Sequence, residues 1–434
     1  MRLLLVLPTT VDKDGKPTRS RRRWVLGLAM PYMAALTPPW VETRIVDDRL
    51  DPIDYGGDWD MAGLNTTIAT STRAYRIADE FRRLGVPVVM GGFHATLNPE
   101  ECLQHADAVV EGEAEYVWPQ LLEDFKAGRM KERYEADRLH DMKGLPLPRW
   151  DLLDRRRYLA PYLPLQTTRG CPFKCSYCEV PVFYGGTYRH RPVGEVVEDA
   201  RRIPTRKIQI VDDNIVGNRA YAKELLTALI PLKVRFSCLW TINTSRDPEI
   251  LDLAKKAGIY HVNIGIESIS QKSLGSVNKK QNLVRDYVDM LRALEDRGIF
   301  YSLNFMFGFD EDTPEIFDET MDFLKALKAP MVFFNTATPR TGTAMRAQLE
   351  KEGRILNPVA DRYTGMECLY VPKNMTPRQV EDGVWRCFRQ FYSPLAIFKR
   401  FFWPPQWPYM GQGLPSNAIF AWAVRRKKDP VDFY

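Results

Sequence analysis

Over the first 110 residues, short apolar runs alternate with stretches whose apolar positions recur every three or four residues. Arg2–Pro8 reads as a buried strand, Trp24–Leu36 as a helix and Glu42–Asp47 as a second strand. Met61–Ala69 is strand-like, Tyr75–Leu84 is helical with Gly85 as its stop, Val86–Met90 is a strand ending in Gly91-Gly92, and Ala108–Val110 is another. Strand alternating with helix predicts a doubly wound parallel sheet, whose ligands bind beyond the carboxyl ends of its strands.

Charged residues, Pro146, Pro148 and an arginine run mark residues 136–160 as a linker. A second alternation follows, with strands expected at Leu165–Thr168, Lys207–Val211, Phe236–Thr241, His261–Ile266, Tyr301–Phe307 and Met331–Asn335. Six such strand–helix units predict a partial barrel rather than eight closed units. From about residue 356 the pattern changes again: Val380–Tyr392 reads as helix, and Phe391–Tyr409 is crowded with Phe, Trp, Tyr and Pro. The expected organisation is a sheet domain over 1–135, a barrel over 161–355 and a mostly helical region over 356–434.

Composition narrows the function classes. The 434 residues are 45% hydrophobic and 27% charged, which excludes a disordered or fibrous chain. A net charge of +6 without a dense basic face argues against nucleic-acid binding. No run approaches the roughly 18 apolar residues of a membrane helix, and Leu3–Leu7 is too short for a signal peptide, so the expected compartment is the cytoplasm. Of seven cysteines, three fall within eight residues, unlike a secreted disulfide framework.

Those three are Cys171, Cys175 and Cys178, in the run Cys-Pro-Phe-Lys-Cys-Ser-Tyr-Cys directly after an expected strand. Thiolates at this spacing can each ligate one iron of a cubane cluster and leave the fourth iron open. The alternative is a structural zinc site with His190 as fourth ligand, but no second Cys pair or spaced His pair lies nearby. With Tyr177 as its aromatic residue, the run resembles the radical SAM superfamily signature, Cys-x3-Cys-x-aromatic-Cys. That resemblance implies a four-iron four-sulfur cluster on the three cysteines. S-adenosylmethionine (SAM) would chelate the open iron and be cleaved to methionine and a 5′-deoxyadenosyl radical. It also implies that Asp212 and Asp213, Thr241 and Asn243, Glu267 and Ser268, and Gly308 approach SAM from successive strand ends. A helix-capping role for the carboxylates is the structural alternative.

A doubly wound domain ahead of such a barrel resembles the cobalamin-dependent branch of the superfamily. The resemblance implies cobalamin contacts at Thr9, Thr10, Gly91, Gly92, His94 and Glu113. The Asp-x-His-x-x-Gly motif that supplies a cobalt-binding histidine in many cobalamin proteins is absent, and His94 is the first histidine of the chain. Asp212–Asn218, Gly265–Ser268 with Lys279-Lys280-Gln281-Asn282, and Phe391-Tyr392-Ser393 look most like the hopanoid C-2 methylase branch. The implied activity is methyl transfer from SAM through cobalamin to an unactivated carbon of an apolar or polycyclic small molecule. An electron donor of the flavodoxin or ferredoxin type would supply the reductant, and the aromatic C-terminal segment would offer a peripheral membrane contact. The rival readings are a cyclase or oxidase without methyl transfer, as in anaerobic porphyrin cyclases, and a non-catalytic cobalamin or iron–sulfur sensor.

Overall fold

Leu3, Leu4, Leu5 and Val6 are at most 1% exposed, so the first strand must be covered on both faces. In the structure, a computed structural model describing residues 1–12, 14–23, 25–160, 162–357, 362, 364–403 and 405–426, it lies inside a six-stranded parallel sheet. The strands are β1 (Arg2–Leu7), β2 (Glu42–Asp47), β3 (Met61–Asn65), β4 (Val88–Gly91), β5 (Ala108–Glu111) and β6 (Arg133–Glu135), in the order β2-β1-β3-β4-β5-β6. Alternate residues feed two cores: Leu4, Val6, Leu64 and Met90 pack with Phe81 on one face, and Leu3, Leu5, Met61 and Val89 pack with Trp118 on the other. Strand order reverses between β1 and β3, so the loops after these strands flank a crevice at the sheet's carboxyl edge.

Local departures from the expected elements have identifiable causes. The first helix runs only over Ala29–Leu36, and Trp24 lies outside the described residues. β3 stops at Asn65 because Thr67 and Thr70 form a reciprocal cap on the short turn Ile68–Thr70. Residues 136–160 pack rather than link: Met142, Trp150 and Tyr158 are buried, and the Tyr158 hydroxyl donates to Asp47 Oδ2 at 3.1 Å. The first compact unit therefore extends from Met1 to Pro164 and recruits Phe183–Gly185, whose Phe183 stacks on Phe93 at 4.0 Å.

The second unit, from Leu165 on, is built on another six-stranded sheet, whose first strand begins two residues earlier: β7 (Leu163–Leu165), β10 (Lys207–Ile210), β11 (Arg235–Trp240), β12 (Ile259–Glu267), β13 (Phe300–Phe307) and β14 (Val332–Thr336), in the order β14-β13-β12-β11-β10-β7. The expected strand Leu165–Thr168 is split. The carboxylate of Asp212 takes both the Thr167 amide, at 2.7 Å, and the Thr167 hydroxyl. The chain thus leaves the sheet and starts β8 (Thr168–Gly170), which pairs antiparallel with β9 (Tyr188–His190). His190 stacks on Tyr221 at 4.1 Å.

Helices Pro377–Phe391, Pro394–Phe402 and Trp407–Arg425 belong to this same unit, and half of the aromatic residues of Phe391–Tyr409 are core. Phe388 meets Phe334 edge-on at 5.2 Å, and the Tyr392 hydroxyl both donates to the Val332 carbonyl at 2.7 Å and accepts from its amide at 3.2 Å. Tyr392 thereby satisfies backbone groups on the outermost strand, where unpaired groups invite aggregation.

At the first sheet's carboxyl edge, Asp48 is fully buried and bridges Arg73 (2.7 Å) to Arg19 (3.0 Å). Burial alone would raise its pKa, but the two guanidinium groups and the Thr9 amide outweigh it and hold the carboxyl below the ordinary 3.8. Asp48→Asn should cost about 3 kcal/mol in chemical denaturation at neutral pH, the scale for breaking a buried pair. Because the folded-state pKa is lowered, this contribution is complete at neutral pH and lost as pH falls through that lowered value. The stability gap between wild type and variant should close in acid.

Candidate active site

The cysteine loop hangs between β8 and β9 and is fixed from two sides. The turn after helix Gln271–Ser276 gives its Val277 carbonyl to the Ser176 amide (3.0 Å) and its Asn278 side chain to the Lys174 carbonyl (2.7 Å). After β14, Arg340 in the loop pairs with Glu179 at 3.0 Å, and the Met345 amide, in the first turn of helix Ala344–Lys351, donates to the Ser176 carbonyl at 2.9 Å. Cys171, Cys175 and Cys178 are free and partly exposed on this loop. Asn214 directs its amide at Cys171 Sγ (3.9 Å) and Gln281 directs its amide at Cys175 Sγ (3.7 Å). Donors aimed at sulfur suit thiolate ligands, so the loop fits a cubane cluster with three protein ligands. Burial pushes the Cys171 thiol up and that of Cys178 to about 12, against the Phe173 and Val180 amides respectively.

Glu267 ends β12 at φ +66°, beyond a register shift at Gly265. A left-handed backbone is strained for a glutamate, and the surroundings hold it there. Asn282 donates to the carbonyls of Gly265 and Ile266, both at 3.1 Å, and the Tyr287 hydroxyl donates to Ile266. Lys279 Nζ lies 2.7 Å from Glu267 Oε1 and donates to the Tyr177 hydroxyl at 3.0 Å. A Cβ on Gly265 would sit 2.4 Å from Glu267 Oε1, so only glycine admits this pair. Burial alone would discharge Lys279; Glu267 and the nearby cysteines overrule it and keep the ammonium above the ordinary lysine range.

The other strand-end residues are placed as follows. Asp212 is buried and committed to Thr167, whereas Asp213 accepts from the Gly170 amide at 3.1 Å beside the cysteine loop, its carboxyl raised to about 6 by burial. Thr241 bonds Asn243 at 2.5 Å after β11, and Ser268 Oγ accepts from the Ser270 amide at 3.0 Å. Gly308 donates its amide to Asp312 and accepts from the Tyr370 hydroxyl, so its backbone is held within the protein. A polar ladder was missed in the sequence: on the face of β12 that carries Glu267, His261 bonds Ser302 (3.0 Å) and Asn263 bonds Ser302 (2.8 Å) and Asn304 (2.7 Å). The alternation His-Val-Asn-Ile-Gly-Ile-Glu carries that signal.

In the first unit, Thr9 and Thr10 bond Thr18 after β1, and Glu113 accepts from the His140 amide at 2.7 Å. His94 is 2% exposed, with Nε2 at 2.8 Å from the Tyr75 hydroxyl and Nδ1 at 3.2 Å from the Asn98 amide. Both ring nitrogens are engaged inside the core, which leaves neither for a metal. Gly92, at φ +102°, answers a packing need: a Cβ would lie 2.5 Å from Asn65 Oδ1 and 2.9 Å from the Thr66 carbonyl. Thr66, at the switch point after β3, was not singled out from sequence; its buried hydroxyl has no hydrogen-bond partner among the described residues. An unsatisfied hydroxyl there fits a ligand rich in amides, as cobalamin is.

The radical SAM superfamily profile matches residues 165–324. Bacteriochlorophyllide d C-8(2)-methyltransferase of Chlorobaculum tepidum is 31% identical over 405 residues, spanning 89% of this chain and 90% of the relative. The chain belongs to the cobalamin-dependent radical SAM enzymes. Hopanoid C-2 methylase of Rhodopseudomonas palustris is also a relative of the enzyme, at 25% identity over 85% of this chain and 71% of that one. The fold is shared with the radical SAM methyltransferase TsrM from Kitasatospora setae, solved with cobalamin and a [4Fe-4S] cluster (TM-score 0.66, 18% identity, 89% of this chain and 88% of that one).

Three outcomes test these placements in the enzyme. Replacing Cys171, Cys175 and Cys178 by Ala should abolish iron–sulfur absorbance, while Cys102, Cys238, Cys368 and Cys387 should each be dispensable for it. Lys279→Met strands Glu267 as a buried charge and should cost about 3–5 kcal/mol in denaturation, most of it recovered in Lys279→Met/Glu267→Gln. Gly91→Val should lower corrin occupancy at unchanged iron content. Gly92→Val should instead destabilise the first unit.

Proposed function

We propose that the enzyme methylates an unactivated carbon of an apolar, polycyclic small molecule, with the methyl group derived from SAM and passed through cobalamin. The observation that carries this reading is the near-complete alignment, over 89% of the chain, with a relative named as a methyltransferase of bacteriochlorophyllide, together with a hopanoid methylase among the relatives. Both names denote polycyclic substrates. We assign cobalamin to the unit ending at Pro164, and the cluster and SAM to the barrel that follows.

When bound, the cluster supplies the electron that splits SAM, and cobalamin carries the methyl group. The protein's part is positioning. Cys171, Cys175 and Cys178 hold the irons, and Asn214 and Gln281 disperse charge on two of the sulfurs. Lys279 fixes Glu267 and Tyr177 against each other, so the β12 end and the cysteine loop move as one. Of the aspartate pair, Asp213 is assigned to SAM because both oxygens of Asp212 are held by Thr167. Glu267, Ser268, Thr241 and Asn243 complete the SAM side, and Gly308 shapes it through its backbone. Thr9, Thr10, Thr66, Gly91 and Gly92 form the corrin edge, with His94 and Glu113 supporting it from within. The lower face of cobalt receives no protein histidine in this reading. It is supported by the absence of any histidine before position 94 and by the engagement of both His94 nitrogens. The electron donor is proposed to be a small flavodoxin- or ferredoxin-type protein and the compartment the cytoplasm, since a thiolate-bound cluster needs a one-electron reductant and protection from oxidation.

Anaerobic reconstitution with iron, sulfide, cobalamin, SAM and a strong reductant tests the reading. With a polycyclic substrate, mass spectrometry should find a product heavier by one CH2, together with 5′-deoxyadenosine and S-adenosylhomocysteine. A product lighter by two hydrogens, without S-adenosylhomocysteine, would favour cyclisation or oxidation. Electron paramagnetic resonance of the bound cob(II)alamin should lack the threefold nitrogen splitting of an imidazole ligand.

A further inference from the structure

Helix Pro394–Phe402 has two apolar faces where a surface helix ordinarily has one. Its inward face is anchored: Phe401 is fully buried, and the buried Arg400 guanidinium donates to the Phe391 carbonyl (3.3 Å) and bonds Asn417 on the last helix. Its outward face shows Leu395, Phe398 and Phe402, spaced three and four apart, at 63%, 53% and 40% exposure. Trp403, which lines the same groove as Leu395, and Trp407, at the start of the next helix, are 75% and 74% exposed. Indoles and phenyl rings this open to water are costly unless something covers them.

The charge around this row indicates what covers it. Residues 383–426 contain six basic and no acidic residues, a number equal to the net charge of the whole chain. Of these, Arg400 is buried and Arg386 pairs with Asp318, so the cation that helix Pro394–Phe402 itself sets beside the row is the exposed Lys399. Beside the row, a groove of about 900 Å³ runs between Leu395 and Trp403 and the helix Ile316–Leu327, with Met321 and Leu324 on its floor. Lys325, Lys328 and Lys399 line it; Lys328 donates to the Trp403 carbonyl at 2.7 Å, and Lys325 is paired with exposed Asp322. No helix among the described residues is long and apolar enough to cross a membrane.

We propose that this face docks on an anionic lipid surface, with Leu395, Phe398, Phe402, Trp403 and Trp407 in the interfacial layer and Lys328 and Lys399 against phosphate headgroups. An aromatic and aliphatic row beside cations is the chemistry of interfacial helices, which lie in the plane of the membrane. A second copy of this chain is the rival occupant, but two such faces would bring like charges together. The proposal deepens the substrate reading, since polycyclic molecules of low solubility are held in membranes, yet vesicle binding requires no turnover, so it can fail independently.

Reconstituted full-length enzyme is floated with vesicles of phosphatidylcholine alone and of phosphatidylcholine mixed with phosphatidylglycerol. Binding to the anionic vesicles, weak binding to the neutral ones and weakening by salt are expected. Trp403→Ser/Trp407→Ser should lower partitioning on the order of tenfold or more, and Lys399→Glu should lower it while leaving iron content unchanged. Brominated lipid should quench wild-type tryptophan fluorescence, a reading that does not depend on any variant folding. No flotation with anionic vesicles, or equal flotation of the variants, would overturn the proposal. A wild-type dimer in sedimentation that the tryptophan variant converts to monomer would assign the face to a second copy instead.

Discussion

One buried ammonium ion organises the active site. Lys279 cannot keep its charge in the interior without Glu267, and Glu267 cannot hold its left-handed backbone without Lys279 and Asn282. The Tyr177 hydroxyl ties this pair to the cysteine loop. An isolated buried charge is severely penalised, so the pair forms or the strand end rearranges. The geometry of the cysteine loop and of the β12 end thus depends on a single electrostatic requirement.

That requirement explains why Lys279–Asn282 follows so closely on Glu267 in the chain. The helix Gln271–Ser276 carries the backbone out from the strand end and back, and the returning turn delivers Asn278, Lys279, Gln281 and Asn282 to four different partners. These residues connect the chemistry of the loop to the sheet beneath it. Their importance comes from what they hold, and Gln281 among them directs its amide at a cysteine sulfur.

The strands and the cysteine loop were legible because periodicity and spacing are local properties. Five of the six expected barrel strands and β1 carry apolar patterns that the tertiary context left in place, whereas Leu165–Thr168 was split by Asp212. What the sequence hid were choices among equivalent partners. Nothing local distinguishes Asp212, which binds Thr167 and ends the strand early, from Asp213, which faces the cysteine loop. Likewise His94 reads as a ligand beside Gly91-Gly92 until Tyr75, brought from another helix, engages one ring nitrogen and Asn98, four residues on, the other. The apparent linker at 136–160 became core through Trp150 and Tyr158, because proline and arginine content reports on composition and not on burial. The aromatic tail divides, with Phe388, Phe391 and Tyr392 inside and Trp403 and Trp407 outside, a distinction that only packing can make.

The antiparallel pairing of β8 with β9 has an entropic side. It joins the two ends of the cysteine loop, so the chain entropy of closing that loop is lost to strand pairing and not to the grouping of the cysteines. Gathering three thiolates then restricts side-chain rotamers and a short span of backbone, not the whole segment from Gly170 to Tyr188.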